Sequence, residues 1–542
     1  MADDKTVLGR ITKIRGAHAV ARFGKEAFNE TDQVDENALS QGRVGDLVRI
    51  GTPRTLVYGI VSSLSVSQYD VDGSPQSGIM EVELIGETNT SSDVSPTGFQ
   101  RGISIAPALG AAVGPATQQD RDLVYAVPSR ANITVGKVHP SNDVEAHLIV
   151  DDLLSKHFAV LGTTGSGKTC TTTLFLHAIL DFCSHSHIIM LDPHDEYKTS
   201  FGDKAESISI ENLHLPYWML VFDELKEILV SEAKDTRDSE VRILNDAVLK
   251  ARKEHPENRD YAGFITVDTP VPFRLSTLKK IIDDGMGTLN KADSSVPFMR
   301  LLSRLDSLTS DRRYSFMFSS MMVRDILPEV MSRILRIPVN DKPISIIDLS
   351  GVPAEITDVV VSVLCRTIFD FAVWGQKKQQ VPVLLVCEEA HRYIPDRIPD
   401  RIGIGFEPTK RAIAQIAKEG RKYGVSLCLI SQRPSELSMS ILSQCATLVA
   451  LRMSNERDLA FVRSALPEGS AGLMAVLPAL RSQEAVIFGE AVTVPVRVLL
   501  NTLPPEHLPR SGSASFSTTW QGEATSEDLV SQTVLHWRQQ NR

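Results

Sequence analysis

One stretch indicates the fold of this 542-residue chain: Gly162-Thr163-Thr164-Gly165-Ser166-Gly167-Lys168-Thr169. It fits the pattern G-x-x-x-x-G-K-[ST], whose glycines let several backbone N–H groups approach phosphate oxygens at the same time. An apolar strand pattern, HFAVL, comes directly before it, and a helical pattern, CTTTLFLHAILDF, follows it. The start of that helix adds unpaired N–H groups and a positive dipole end. This strand–loop–helix arrangement predicts an α/β fold with a site for nucleotide phosphates.

The same motif predicts the ligands of the site and the residues that hold them. Lys168 is expected to reach the β- and γ-phosphates of ATP, and Thr169 is expected to hold Mg²⁺. A chance match in a glycine-rich loop is the alternative, and the flanking strand and helix argue against it. The predicted nucleotide-binding residues are Gly162, Thr163, Thr164, Gly165, Ser166, Gly167, Lys168, Thr169 and Cys170.

Around this motif, alternating strand and helix patterns predict a parallel, helix-covered sheet in residues 132–200 and 336–510. Residues 201–335 interrupt this core, and their helical periodicity predicts a mostly helical insertion. The strands predicted for the core are His157–Leu161, Ile188–Leu191, Ile344–Leu349, Val383–Cys387, Val425–Ile430 and Thr447–Leu451, and the helical segments of the insertion are 219–254, 275–289 and 296–310.

The two ends of the chain have different patterns from the core. Short strands at regular spacing, separated by glycines, predict a small β-sandwich or β-barrel in residues 1–100. Residues 101–131 are rich in Gly, Ala and Pro and are expected to be a linker. Residues 511–542 begin with a Ser-rich stretch and form a C-terminal tail with a candidate helix near 526–538.

A second apolar strand, Val381-Pro-Val-Leu-Leu-Val-Cys387, ends in the acidic pair Glu388-Glu389. Sites on parallel sheets form at the carboxyl ends of the strands. We expect Glu388 to support Mg²⁺ and Glu389 to be the general base that orients the attacking water. An acidic pair in contact with solvent at the end of a strand is the alternative.

Two further strands are expected to end at the same rim. The strand Val425–Ile430 leads to Gln432, whose amide can both donate and accept a hydrogen bond and is placed to read the γ-phosphate or its water. The turn Asp192-Pro-His194-Asp195-Glu196-Tyr197 follows the strand at 188–191. An ordinary turn without a ligand is the alternative in both places.

An arginine is expected to stabilise the negative charge that phosphoryl transfer builds, often from a neighbouring subunit. Arg421, just before the strand that leads to Gln432, is the best candidate. A solvated charge at a helix end is the alternative, because the helix dipole favours it. The weaker candidates for a role at the nucleotide are Arg433, Arg411 and Lys156.

Residues 395–411 follow the acidic pair and are rich in Gly and Pro, which predicts a loop. Its basic residues could face nucleic acid in the channel of a ring, because phosphate contacts do not depend on sequence. A surface loop of balanced charge is the alternative. The basic residues proposed for such contacts are Arg397, Arg401 and Lys410.

Composition limits the other classes of function. The formal net charge of −10 excludes a uniformly basic coat, but not a local basic surface such as a pore lining. The start, MADDKTVLGR, has no signal-peptide pattern, and no stretch approaches the ~20 apolar residues that cross a bilayer. We therefore expect a soluble, cytoplasmic protein without a membrane partner, and reduced cysteines at Cys170, Cys183, Cys365, Cys387, Cys428 and Cys445.

The motifs together resemble the HerA branch of the HerA/FtsK ATPases. GTTGSGKT, DPHDEY, CEEAHRYIP, KEGRKYGVSL and SQRPSELS occur here in the order of that family, and the N-terminal strands look like its HAS barrel. The resemblance implies an α/β, RecA-like P-loop ATPase core with a helical insertion, preceded by a small N-terminal β-barrel. Two features depart from the family: Asp195 stands where glycine is common, and the segment 395–411 is somewhat long.

The resemblance also implies a function. It implies a homohexameric ring that uses ATP to translocate on double-stranded DNA, with a nuclease or an NAD-cleaving effector supplied by another chain. The alternative is a scaffold, gated by nucleotide, that assembles and activates an effector with little translocation. A membrane-tethered pump is disfavoured by the lack of apolar spans, and a rotary ATPase subunit by the motifs SQRPSEL and CEEAHRY.

Overall fold

The computed structural model describes residues 7–24, 42–69, 75–89, 98–139, 143–231, 235–287, 295–319, 321–396, 406–466, 471–510, 516–521 and 527–539. The strands in these ranges are β1 (Gly9–Arg15), β2 (His18–Gly24), β3 (Leu47–Gly51), β4 (Thr55–Tyr69), β5 (Pro75–Asn89), β6 (Gln100–Arg101), β7 (Ala112–Pro115), β8 (Asn132–Val138), β9 (Glu145–Ile149), β10 (Phe158–Leu161), β11 (Ile188–Asp192), β12 (Ala205–Ile208), β13 (Ile344–Asp348), β14 (Val383–Cys387), β15 (Val425–Ser431), β16 (Thr447–Ala450), β17 (Glu484–Gly489) and β18 (Val496–Leu500).

The α-helices in the same ranges are α1 (Gln118–Val124), α2 (Val150–Leu154), α3 (Lys168–Phe182), α4 (Lys198–Phe201), α5 (Phe222–Leu229), α6 (Arg237–Glu254), α7 (Leu275–Gly287), α8 (Val296–Ser310), α9 (Ser315–Phe318), α10 (Leu327–Leu335), α11 (Ala354–Gly375), α12 (Phe406–Tyr423), α13 (Met439–Leu442), α14 (Glu456–Ala465), α15 (Ala471–Met474), α16 (Phe516–Gln521) and α17 (Glu527–Gln539). The chain divides into two compact units, the first made of Met1–Cys183, Glu389–Arg397 and Ser426–Leu503 and the second of Ser184–Glu388, Ile398–Val425 and Pro504–Arg542.

The first unit begins with a closed antiparallel barrel. Its strands run in the order β2-β1-β7-β3-β4-β5, and pairing of β2 with β5 closes the ring. Alternate side chains point inward, as the two-residue period of a strand requires, and build an apolar core that includes Ile11, Val48, Val57 and Val82. Closure leaves no free edge between these six strands.

The barrel extends beyond the boundary predicted for it. Residues 101–131 were expected to be a linker, but β7 pairs with β1 and with β3 and therefore belongs to the barrel. The strand is only four residues long and its sequence, AVGP, contains Gly and Pro. Those residue types usually indicate a loop, so cross-strand pairing outweighs local propensity here.

The remainder of the first unit is an α/β layer. Strands β15, β10 and β16 pair in parallel, and β17, β18, β8 and β9 continue from β16 as antiparallel neighbours. Strand β10 is buried along its whole length, and α3 begins directly after the loop that follows it. This is the predicted strand–loop–helix arrangement around residues 162–169.

The second unit contains a parallel sheet in the order β12-β13-β11-β14. Helix α11 is 22 residues long and half of its residues are buried, and helices α5 to α10 lie in the segment predicted as a helical insertion. That segment also contains β12, which adds an edge strand to the sheet through its pairing with β13. The helical periodicity predicted over 219–254 is broken between Leu229 and Arg237, where α5 ends and α6 begins.

The end of the segment 395–411, residues 406–411, is helical and not the predicted loop. Residues 397–405, with Arg397 and Arg401, lie outside the described residues. Helix α12 starts at Phe406, so Lys410 and Arg411 are helical. Pro408 in the first turn is compatible with the helix, because an N–H there has no intrahelical acceptor.

These elements confirm the predicted fold class, an α/β core with a P-loop, preceded along the chain by a small β-barrel. The bounds of the six predicted core strands each differ from the observed bounds by no more than one residue. The domain boundaries as a whole stay a prediction.

Candidate nucleotide-binding and hydrolysis residues

The loop at residues 162–169 has a backbone that requires its glycines. Gly165 and Gly167 have φ values of 74° and 95°, in the left-handed region that favours glycine. A Cβ on Gly162 would lie 2.6 Å from Ser166 Oγ and 2.8 Å from Leu451 Cβ, closer than packed atoms approach. The first turn of α3 starts at Lys168, with Gly167 at the N-cap.

Hydrogen bonds hold this loop in a closed form. The Lys168 ammonium donates to the backbone carbonyl of Thr163 at 3.1 Å, and the Thr163 N–H donates to the carbonyl of Arg452 at 3.1 Å. The Ser166 hydroxyl is buried and has no hydrogen-bond partner within the described ranges. A buried polar atom without a partner costs free energy, so a polar ligand fits this loop. The predicted residues Thr169 and Cys170 lie in the first turn of α3, and Cys170 is exposed.

Gln432 connects the loop to the second of the two glutamates. The Thr164 hydroxyl donates to Gln432 Oε1 at 2.5 Å, and Gln432 Nε2 donates to Glu389 Oε1 at 2.7 Å. The amide of Gln432 therefore acts as acceptor on one side and donor on the other. All three residues belong to the first unit, and the chain of bonds joins a nucleotide-binding loop to a carboxylate.

Glu389 has a constrained backbone and a half-satisfied carboxylate. It is buried, and its φ of 51° is unusual for a residue with a side chain. Its second oxygen, Oε2, lies 3.2 Å from His391 Nδ1 but makes no hydrogen bond to the described residues. Burial lowers the pKa of His391, and the charge of Glu389 acts in the opposite direction. One oxygen of Glu389 is thus fixed while the other can accept a proton.

The second unit holds the other glutamate in a different way. The hydroxyl of Tyr197 donates to Glu388 Oε2 at 2.6 Å, and both side chains are buried. Asp192 accepts the backbone N–H groups of His194 and Tyr197, both at 3.1 Å. Burial raises the pKa of Asp192 from its ordinary value of 3.8 to about 6.

The turn after β11 accounts for Asp195, which stands where glycine is common in the family that the sequence resembles. Asp195 has a φ of 54°, in the left-handed region. A glycine adopts this conformation without strain, and Asp is one of the few other residues that tolerate it. Asp195 therefore occupies a position where the backbone itself favours glycine.

The predicted arginines have different surroundings. Arg421 lies exposed in the last turn of α12, and the described residues give it no ion pair. Arg411 pairs with Asp223 at 3.2 Å and Arg433 with Glu436 at 3.1 Å. Lys156 pairs with both Asp152 and Glu490, which makes it an intramolecular anchor within its own unit. Arg421 thus differs from the three weaker candidates in having no such pair.

Other possible sites receive little support. Among the described residues, no group of three or more His, Cys, Asp and Glu side chains could hold a metal ion. None of the helices in the described ranges is long and apolar enough to cross a membrane. The sequence included Tyr197 only as the last residue of the polar turn DPHDEY and predicted no contact for its side chain.

Comparison with known proteins shows what the chain is similar to. The family model described as "Helicase HerA, central domain" matches residues 133–368. The chain is similar to HerA-type P-loop ATPases. It is 27% identical over 403 residues to the DNA double-strand break repair helicase HerA of Sulfurisphaera tokodaii, covering 73% of this chain and 74% of the relative.

A second relative extends over more of the chain, and one solved structure is also similar to it. A probable helicase of Methanocaldococcus jannaschii is 24% identical over 488 residues, which covers 86% of this chain and 88% of the relative. The solved structure of VirB4 of Thermoanaerobacter pseudethanolicus is 18% identical, covers 70% of this chain and 99% of that chain, and has a TM-score of 0.49.

Proposed function

We propose that this HerA-type chain is an ATP-driven motor that translocates on double-stranded DNA as a homohexameric ring. The observation that carries the ATP-hydrolysing part of the proposal is the hydrogen-bonded series Thr164–Gln432–Glu389. It gives the nucleotide-binding loop a direct connection to the candidate base. Hydrolysis can thereby be made to depend on what occupies the loop.

Each residue has a defined task in the proposed hydrolysis of ATP. The N–H groups of the loop and the ammonium of Lys168 bind the phosphates. Glu389 orients the attacking water and accepts its proton on Oε2, the oxygen without a hydrogen bond in the described structure. Gln432 keeps the other oxygen in place. Mg²⁺, for which Thr169 and Glu388 are the proposed ligands, would neutralise phosphate charge when bound.

The proposed action on DNA is supported by the relatives, several of which are named as DNA double-strand break repair helicases. The test is the ATPase rate of the purified protein with and without duplex DNA. We expect duplex DNA to raise the rate, and the salt dependence of binding to report phosphate contacts. A rate that DNA leaves unchanged, but that a partner protein alters, would overturn the motor and favour a nucleotide-gated scaffold.

The proposed ring is supported by Arg421, which is exposed and has no ion pair among the described residues. An arginine in this position can act on the nucleotide of a neighbouring subunit. Head-to-tail interfaces commonly close into rings. Subunits with Arg421→Ala, mixed with subunits with Lys168→Ala, should regain part of the ATPase rate, because some interfaces then contain one intact site. A monomer with full ATPase activity in sedimentation experiments would contradict the ring.

We also propose that cleavage is supplied by a partner chain, a nuclease or an NAD-cleaving effector, since no nuclease motif is visible in this sequence. Co-expression with a candidate effector, followed by co-purification and a nuclease or NAD-consumption assay, tests this part. DNA cleavage by this protein alone would contradict it.

A further inference from the structure

Tyr197 is placed at the carboxylate of Glu388 by two neighbouring strands. Strands β11 and β14 pair in parallel, with Leu191 opposite Cys387, so Asp192 and Glu388 follow at the same end of the sheet. The turn after Asp192 then carries the phenol of Tyr197 back to Glu388 Oε2, at 2.6 Å. The N–H of Ser200 donates to the carbonyl of Tyr197 at 3.0 Å, which fixes the far end of the turn.

The bond between Tyr197 and Glu388 is strong for its kind. Tyr197 is 0% exposed and Glu388 is 3% exposed, so neither group has ready access to water. An O–H···O⁻ bond of this length is charge-assisted and roughly twice as strong as a neutral one. A buried carboxylate without such a donor would be costly, and it would rotate or take up a proton.

We propose that Tyr197 is a positioning residue that restricts the carboxylate of Glu388 to one orientation for Mg²⁺ that accompanies the nucleotide. This rests on the role of Glu388 in the proposed function. A hydrogen bond from the protein to a metal-binding carboxylate fixes its direction, and loss of such a partner typically costs about 10–100-fold in metal affinity or activity. Asp192 supports the arrangement by holding the backbone N–H of Tyr197.

The test is the substitution Tyr197→Phe in the full-length protein, which removes the hydroxyl and keeps the ring. Binding of a fluorescent, non-hydrolysable ATP analogue is measured while Mg²⁺ is titrated, and again in EDTA. We expect the Mg²⁺ midpoint to rise about 10–100-fold. The affinity measured in EDTA should stay the same, because the contacts of the P-loop are not changed.

Two further variants separate the possible outcomes. Tyr217→Phe is the matched control, since Tyr217 is also 0% exposed and its hydroxyl donates to the backbone carbonyl of Phe273 in the helical segment. It should change the melting temperature without changing the Mg²⁺ midpoint. In a Glu388→Gln background, Tyr197→Phe should cause no additional shift of that midpoint.

The results distinguish this inference from the proposed function. If Glu388→Gln raises the midpoint but Tyr197→Phe alters only the melting temperature, the positioning role is overturned and the role of Glu388 stands. If Glu388→Gln itself leaves the midpoint unchanged, both the Mg²⁺ role of Glu388 and the inference about Tyr197 fail.

Discussion

Glu388 and Glu389 are neighbours in sequence and both are buried, but they differ in backbone conformation and in hydrogen-bond partner. Glu388 follows directly on a buried strand and accepts a hydrogen bond from a buried phenol. Glu389 has a left-handed backbone conformation and accepts a hydrogen bond from the side-chain amide of Gln432. A change of backbone conformation within one peptide unit thus gives two identical side chains different partners.

The difference fits the proposed division of roles between the two carboxylates, a Mg²⁺ ligand at Glu388 and a general base at Glu389. A ligand for a cation needs a fixed direction, which the charge-assisted bond from Tyr197 provides. A general base needs an oxygen that can gain a proton, and Glu389 Oε2 has no hydrogen bond within the described structure. The other oxygen of Glu389 is held by the neutral side-chain amide of Gln432.

Glu389→Gln should produce the largest effect and tests this division directly. The amide keeps the size of the side chain but cannot accept the proton of water. We expect ATP turnover to fall at least ~100-fold, because positioned general bases contribute about that factor. Steady-state ATPase assays measure the loss, and binding of the ATP analogue should persist.

Glu388→Gln is the matched comparison for that experiment. Raising the Mg²⁺ concentration should restore part of the ATP turnover that Glu388→Gln loses. The loss of turnover in Glu389→Gln should not respond to Mg²⁺. Near wild-type turnover by the Glu389→Gln variant, or equal Mg²⁺ responses of the two variants, would contradict the assigned roles.

Gln432→Ala should have the next largest effect. It removes the bond to Glu389 and the bond from Thr164 together. A hydrogen bond to a charged group is worth about 1.5–3 kcal/mol, which corresponds to roughly 10–100-fold in rate if the bond also orients the base in the transition state. The measurement is kcat at saturating ATP. A change confined to KM would show that Gln432 serves binding and not the orientation of Glu389.

Thr164→Val should have a smaller effect on the same series. The substitution keeps the branched shape and removes only the hydroxyl that donates to Gln432. A neutral hydrogen bond contributes about 1 kcal/mol, so kcat should fall roughly fivefold. Because the two residues act in series, the same substitution in a Gln432→Ala background should cost nothing further. Additive losses in the double variant would show that Thr164 acts independently of Gln432.

The sequence was most informative where local pattern and tertiary environment agree. Apolar runs ending in Leu161 and Cys387 predicted buried strands, and the glycines of the loop predicted its backbone. Pairing over long sequence distances carried no local signal. The barrel strand at Ala112–Pro115 looks like a linker, because its pairing partners and not its residues make it a strand.

Side-chain partnerships were the least predictable part of the site. Tyr197 and Glu388 are 191 residues apart, and only the register of β11 with β14 brings them together. Polar residues after two strands predicted a shared rim but not which atoms would meet. The helical position of Lys410 was missed because Gly and Pro before and around Phe406 suggested a longer loop.

Asp192 makes the stability of the turn around Glu388 depend on pH. Its carboxylate accepts the backbone N–H of Tyr197, whose hydroxyl donates to Glu388. Burial raises its pKa from 3.8 to about 6 in the folded protein. Between pH 3.8 and about pH 6, Asp192 is protonated in the folded state and ionised in the unfolded state. The resulting stability is present in full below the unfolded pKa and is lost as pH rises through the folded pKa, by about 3 kcal/mol in total for two pKa units.

Asp192→Asn should therefore remove one pH-dependent component of stability. An amide does not titrate, so the melting temperature of the variant minus that of the wild type should increase from pH 4 to pH 6 and then level off. A constant offset between the two curves would show that Asp192 keeps its ordinary pKa when folded.

Glu206→Gln is the control of opposite sign, because Arg333 and Lys342 lower the pKa of Glu206 against the effect of its burial. Its stabilising ion pairs exist in the wild type above the unfolded pKa of a glutamate and are lost as pH falls. The difference for Glu206→Gln should thus decrease with rising pH while that for Asp192→Asn increases.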